Sequence, residues 1–357
     1  MRSPSSRAAV GALVLLGLAL PSAPARAATR TRDVRKEAAA PPATRLTLTN
    51  LAGRVRVEPH RGPGILVEAR LTARAGSEEE AGRLLSLLDV SVERADGTVE
   101  VTARYPVETH TVYRYTEGMA GARLVSRWTG VEWDHPYQGR RVTVTTRRDG
   151  TELFADFVLR VPAGVAVEVR NAFGHVVVRD LAGELSVEAR VADVEVRGGK
   201  GGARVRTELG DVVATGRKGA VRVATRMGDV RLEALAGEVS VETLSGEVNA
   251  RGLSADGALD VSTGSGDVEL VADVSRATRV RIETGSGDVE ATLERLPAVR
   301  ISAVSRGGEA KVSLPGLSTK GEESDSVEAE FLEPEPGRER VPVEVRSRSG
   351  NVRVRGR

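Results

Sequence analysis

The stretch TGSGDVE occupies Thr263–Glu269 and recurs at Thr284–Glu290. A glycine-rich loop ending in a carboxylate could cradle a phosphate, hold a metal or merely turn the chain, and only its surroundings decide. The pair belongs to a series. Gly174, Gly183, Ala192, Gly201, Gly210, Gly219, Gly228, Gly237 and Gly246 follow one another at intervals of nine residues. The register then stretches through Gly257, Gly266 and Gly287, and a last copy, SGNVRV, stands at Gly350.

Successive units alternate in kind, so the true repeat is eighteen residues. One strand of each repeat ends in threonine, as in Val221, Val223, Thr225 and then Val239, Val241, Thr243. The other follows Gly-Asp, as in Val230, Leu232 and then Val248, Ala250, while the residues between them, such as Arg204, Arg206, Glu233, Glu242, Glu269 and Glu283, are charged. Strict alternation of this kind marks strands with one face in a core and the other in water, and excludes helices here. About five residues of strand and four of turn, twice over, predict an all-β fold, a parallel β-solenoid over 166–305 whose coils stack at ~4.8 Å. A thin interior suits Val, Ala, Leu and Thr better than rings, in keeping with the scarcity of aromatics from Asn171 to Leu296. The pairs Gly210-Asp211, Gly228-Asp229, Gly246-Glu247, Gly266-Asp267 and Gly287-Asp288 are then structural turns. Glycine supplies a positive φ and the acid accepts amide hydrogens in a local Asx-type turn.

These residues resemble the bacterial family DUF4097, described as candidate adhesins with a β-helix-like repeat. The resemblance rests on FADFVLRVPAGVAVEVRNAFGHVVV at 154–178 and on the recurring T-x-x-G-[DE]-V corners. It covers most of the chain from about Thr44 onward and is strongest from Phe157 to Leu293. It implies surface adhesion and brings no catalytic residues. His175 and Asn351 depart from the acidic corner, and Ala192 from the glycine.

Outside the repeats, Arg2 and Arg7, the apolar run Ala8–Leu20 and Ala25-Arg26-Ala27 read as a signal peptide over 1–27, cleaved after Ala27, with 28–43 as a linker. The expected location is the periplasm, the cell surface or the medium, with no membrane span in the mature form. There is no cysteine, which removes disulfides, thiol catalysis and thiolate metal sites. Loss of Arg2, Arg7 and Arg26 takes the 52 basic residues to 49 against 50 acidic, so charge gives no case for nucleic acid.

The region 44–165 reads as strands interrupted by a helix over 77–88. Ser77 and Glu80 form a capping box, Leu84, Leu85, Leu87 and Leu88 form an apolar stripe, and Gly53 takes a corner like those downstream. Within the aromatic-rich insert 105–150, all four tyrosines and both tryptophans of the chain fall between Tyr105 and Tyr137. Tyr113, Tyr115, Arg127, Trp128, Trp133 and Tyr137 are candidate contacts for an envelope glycan or protein partner; a small local core is the competing reading. Residues 306–340 read as an irregular Gly/Pro/Glu-rich excursion, and 341–357 as terminal strands.

Two other functions compete with a binding scaffold. A polysaccharide-cleaving β-helix enzyme would use Asp267 and Asp288, stacked one turn apart, yet every corner repeats that geometry and no position is singular. A polymer-forming scaffold resembling bactofilins would join coils end to end. The histidines His60, His110, His135 and His175 show no metal spacing, no G-G-x-G-x-D calcium repeat occurs, and no cofactor is expected.

Overall fold

The computed structural model describes residues 28–41, 44–117, 132–315, 317–319, 325–333 and 339–357, the side chains of 317–319 excepted. The expected signal peptide, and Arg127 and Trp128 of the expected contact set, lie outside the described residues. Most described residues are strand, with one helix, and the strands gather into one 25-stranded sheet and a separate three-stranded one.

The large sheet coils. Val167 lies beside Leu185, Leu185 beside Ala203, Ala203 beside Val221 and Val221 beside Val239, all parallel and eighteen residues apart. After the corner the same register joins Val176, Val194, Val212, Val230 and Val248 on the second face. This is the β-solenoid that the alternation predicts. Each rung points its apolar residues inward. Val221, Val223, Val230 and Leu232 of one rung are all at most 2% exposed, and each such burial contributes ~1.5–3 kcal/mol.

The order of rungs departs from chain order at both ends. Arg45–Ala52 slots between Thr98–Arg104 and Ala166–Phe173, and Val55–His60 between Glu152–Pro162 and Val176–Arg179. At the far end the last rung, Val341–Ser347 with Val352–Gly356, enters between the rung of Val280 and Val289 and the rung of Val299–Ser305 with Ala310–Leu314. The isolated corner at Gly350 therefore stacks on Gly287.

Antiparallel strands finish each end. Ala28–Ala39 pairs with Gly64–Ala75, Asp89–Ala95 with Thr98–Arg104, and Ser326–Phe331 with Val299–Ser305. Two expectations are corrected here. The segment expected as a linker, 28–43, carries the strand Ala28–Ala39, with no buried residue, held by backbone pairing and polar contacts such as Lys36 Nζ to Val90 O at 2.7 Å. The 306–340 excursion carries Ala310–Leu314, Leu317–Thr319 and Ser326–Phe331 in place of irregular chain.

The helix Glu78–Leu87 begins at Ser77, whose hydroxyl accepts from the Glu80 amide, and carries three glutamates in its first turn, where the helix dipole favours them. It packs on Ala28–Ala39 and Gly64–Ala75 through Ala81 and Leu85, while Leu87, expected in the apolar stripe, is exposed. No helix among the described residues is long and apolar enough to cross a membrane.

Candidate functional site

The repeated corner is a three-part hydrogen-bonded seam. Gly210, Gly228, Gly246, Gly266 and Gly287 all take positive φ, between +138° and +150°. A Cβ on Gly228 would lie 2.1 Å from the carbonyl oxygen of Gly210 on the rung before, so both conformation and space demand glycine. That carbonyl accepts instead from a threonine: Thr225 Oγ1 reaches Gly210 O at 3.4 Å, Thr263 reaches Gly246 O at 3.3 Å and Thr284 reaches Gly266 O at 3.0 Å. The acid completes the seam. Asp193 Oδ1 accepts from the Asp211 amide at 3.0 Å, Asp211 from Asp229 at 2.9 Å, Asp229 from Glu247 at 2.9 Å, Asp267 from Asp288 at 2.8 Å and Asp288 from Asn351 at 2.7 Å.

The partner of each of these five carboxylates is thus the next rung's amide, not a local Asx turn as expected from sequence; the seam is interrupted at Gly246-Glu247, where Glu247 accepts no amide and the Thr243 hydroxyl has no partner among the described residues. Asn351 preserves the pattern, since its own Oδ1 accepts from the Glu309 amide at 3.1 Å. Burial, and to a smaller degree the neighbouring carboxylates Asp193 and Asp229, raises the Asp211 pKa, and the Asp229 amide partly offsets this. Asp267 and Asp288, the candidate enzyme pair, are two members of this ladder. Among the described residues no three His, Asp or Glu side chains gather as a metal site.

The aromatic insert forms the three-stranded sheet, with Val112–Arg114 beside Arg140–Thr145 and Glu132–Tyr137 on the other side. It buries most of the candidate contact residues. Tyr113, Tyr115 and Tyr137 are 0%, 2% and 4% exposed, so they face the solenoid and not a partner, which corrects their assignment as contacts. Tyr105 meets Tyr113 and Tyr137 edge to face at 5.4 and 5.6 Å. Its hydroxyl donates to Ala52 O at 2.8 Å, and that of Tyr137 to Ala103 O at 2.6 Å. Burial raises the pKa of all four phenols. Large rings fill the gap between the two sheets, with the Tyr105 and Tyr137 hydroxyls bonding buried carbonyls and those of Tyr113 and Tyr115 unpartnered among the described residues, which favours the local core over a contact surface. Trp133 is half-buried against Phe173, with ring centres 5.9 Å apart.

Where this sheet overhangs the first face of the solenoid it leaves a groove of about 420 Å³, lined by His135, Gln138, Arg170, Glu188, Arg190 and Glu208 among others. Arg190 donates to Asp134 O at 2.6 Å and pairs with Glu208 at 3.4 Å, tying insert to coil. His135 meets Phe173 edge to face at 6.1 Å; burial, then Arg190, lowers its pKa, against a smaller opposing effect of Glu208. This groove joins the repeat to a part that does not repeat, and it brings together aromatic, cationic and anionic groups. Sequence reasoning reached the insert but missed Arg170, Glu188 and Glu208, which look like ordinary outward rung residues until the insert is placed over them.

The fold and its seam define a β-solenoid built from a T-x-x-G-[DE]-V corner. Residues 158–321 match the family described as Toastrack DUF4097, and this segment belongs to that family. Three solved structures are similar to the chain. A "putative cell adhesion protein" from Clostridium sporogenes ATCC 15579 is 11% identical over 92% of this chain and 100% of that one, with a TM-score of 0.21. A "putative adhesin" from Bacteroides fragilis NCTC 9343 is 10% identical over 91% and 97%, at 0.36. A "putative adhesin" from Parabacteroides distasonis ATCC 8503 is 8% identical over 91% and 97%, at 0.32. Likenesses this distant carry no argument about function. No curated protein matches the chain.

Proposed function

We propose that this protein is an exported, non-enzymatic binding scaffold of the cell envelope, an adhesin-like β-solenoid that holds a glycan or protein partner in the groove beneath its aromatic sheet. The observation that carries this reading is how the corner carboxylates are used. Each of Asp193, Asp211, Asp229, Asp267 and Asp288 is committed to an amide of the next rung, so the candidate pair Asp267 and Asp288 is already engaged in holding the stack and is not set apart for acid–base chemistry. The groove breaks the repeat, and a solenoid gives such a site a rigid platform. Export is supported by the signal-like stretch Met1–Ala27. Both ends of the stack finish in antiparallel strands with charged edges, an arrangement that discourages end-to-end growth, so a monodisperse particle is expected by electron microscopy.

The test is attachment of the purified protein to isolated envelopes. Arg170→Ser with Glu188→Ser alters the groove without touching the buried tyrosines. Weaker attachment with unchanged thermal unfolding is expected, and attachment equal to wild type removes the groove assignment. Turnover of a polysaccharide that vanishes in Asp267→Asn would overturn the non-enzymatic reading.

A further inference from the structure

A second surface lies on the opposite margin of the same solenoid face, independent of the aromatic groove. Two successive rungs open with the same pattern, Lys200-Gly-Gly-Ala-Arg204 and Lys218-Gly-Ala-Val-Arg222, eighteen residues apart. The rungs on either side read Ala182-Gly-Glu-Leu-Ser186 and Ala236-Gly-Glu-Val-Ser240. The basic residues are therefore a local departure from a shared template. Parallel pairing places Lys200 beside Lys218 and Arg204 beside Arg222.

Like charges opposite one another on adjacent strands destabilise a sheet. Where like charges oppose one another elsewhere, a neighbour of opposite sign relieves them: Glu269 opposes Glu290, but Glu269 meets Arg251 at 2.7 Å and Glu290 meets Arg355 at 2.6 Å. Here Arg222 alone has an ion-pair partner, Glu238 at 2.8 Å, while Lys200, Arg204 and Lys218 have none among the described residues. Of the other nearby carboxylates, Glu168 is held by Arg170 at 2.6 Å and Glu184 by a backbone amide.

Arg204 and Arg222 border a groove of about 710 Å³ floored by Gly201, Gly202, Gly219 and Ala220. Its chemistry is displayed by the protein itself. Glu184 Oε1 accepts from the Gly202 amide at 2.8 Å. One rung further on, Gly202 stands where Glu184 stood, so the equivalent amide, that of Ala220, meets no carboxylate and donates to nothing among the described residues. A smooth glycine floor, an open amide, the unpaired Arg204 and, beside it in register, Arg222, which would exchange Glu238 for an incoming acid, form a receptor for carboxylates arriving in series along the solenoid axis.

We propose that this groove binds a linear carboxylate-bearing polysaccharide, its acid groups taken by Arg204, Arg222 and the Ala220 amide, with Lys200 and Lys218 adding charge at the entrance. A second copy of the chain fits less well, because the acids Asp260 and Glu269 of the rungs that follow are already paired within the chain to Arg279 and Arg251.

The experiment measures binding of polygalacturonate to the purified protein by calorimetry, with neutral dextran and polyphosphate as comparisons. Expected are binding of polygalacturonate that weakens with salt, no binding of dextran, and a loss of about tenfold or more in the variant K200A/R204S/K218A/R222S. That variant writes the flanking rungs' own alanines and serines into both basic rungs, so its unfolding should match wild type. Should it fail to fold, R204S alone is expected to weaken binding about two- to threefold. The proposal is overturned if wild type binds no polygalacturonate, if a folded variant binds as tightly, if dextran binds equally, or if polyphosphate binds more tightly than polygalacturonate. A salt-sensitive dimer lost in the variant, without polysaccharide binding, would assign the face to a second copy and also overturn it.

Discussion

Replacing Gly228 with alanine should unfold the solenoid more readily than any surface change of similar size. The new Cβ would sit 2.1 Å from Gly210 O and 2.6 Å from Gly210 C, at a residue whose φ is +145°. Relief requires the rungs to part locally by more than an ångström, or the corner to leave its conformation. A side chain forced into this region costs ~1–3 kcal/mol. Parting the rungs also breaks the Asp229 amide's bond to Asp211 at 2.9 Å and the Thr225 hydroxyl's bond to Gly210 O at 3.4 Å, about 1 kcal/mol each. A loss of ~3–5 kcal/mol follows, read from urea unfolding monitored by circular dichroism. The matched control is Ala192→Gly in the same column. Ala192 takes no positive φ, so this change should cost only ~0.5–1 kcal/mol, through backbone entropy. If Gly228→Ala lies within about 0.5 kcal/mol of wild type, the steric reading of the seam is wrong.

Burial raises the folded pKa of Asp211 above its unfolded value of about 3.9, so its contribution to stability falls as pH rises through that window. Asp211→Asn keeps the acceptor for the Asp229 amide and should melt higher than wild type at pH 7; a gap that persists below about pH 4 would contradict this. Arg217 is fully buried and donates to Gly183 O at 2.7 Å and Gly201 O at 3.0 Å, filling the space left by Gly199 in a column otherwise occupied by Leu181, Leu235 and Leu253. Arg217→Leu should cost ~2–4 kcal/mol in urea unfolding by orphaning those carbonyls, and a neutral result would refute their dependence on it. His135 has a folded pKa depressed by burial, so its support for the insert is present above the unfolded value of about 6.5 and lost as pH falls through the folded one. Proteolysis within 105–150 should therefore quicken on acidification, and less so in His135→Gln.

The rungs were legible in the sequence because each inward position is apolar and each outward one polar, as in Val221-Arg222-Val223, and because glycine and acid recur at a fixed spacing. Ala28–Ala39 escaped the same reading because it buries no residue and so carries no apolar alternation. The threonine of T-x-x-G-D-V could be seen as a marker but not as a donor, since its acceptor lies on another rung. Nor could chain order foretell that Gly350 stacks on Gly287, because intercalation of the last rung depends on contacts distant in sequence. For the aromatic window, composition located the insert, but burial of Tyr113, Tyr115 and Tyr137 follows from where that sheet lands. The basic pair of rungs was visible as KGGAR and KGAVR, yet its meaning came from knowing which carboxylates were already engaged.

The claim on which function rests is that the acidic corners join rungs and take no part in chemistry or partner binding. Its most direct test replaces Asp211, Asp229, Asp267 and Asp288 together with asparagine, which keeps every Oδ1 acceptor while removing the charge, and then measures envelope attachment of the folded protein. Attachment equal to wild type is expected. A variant that folds normally but no longer attaches would place function in the corners themselves.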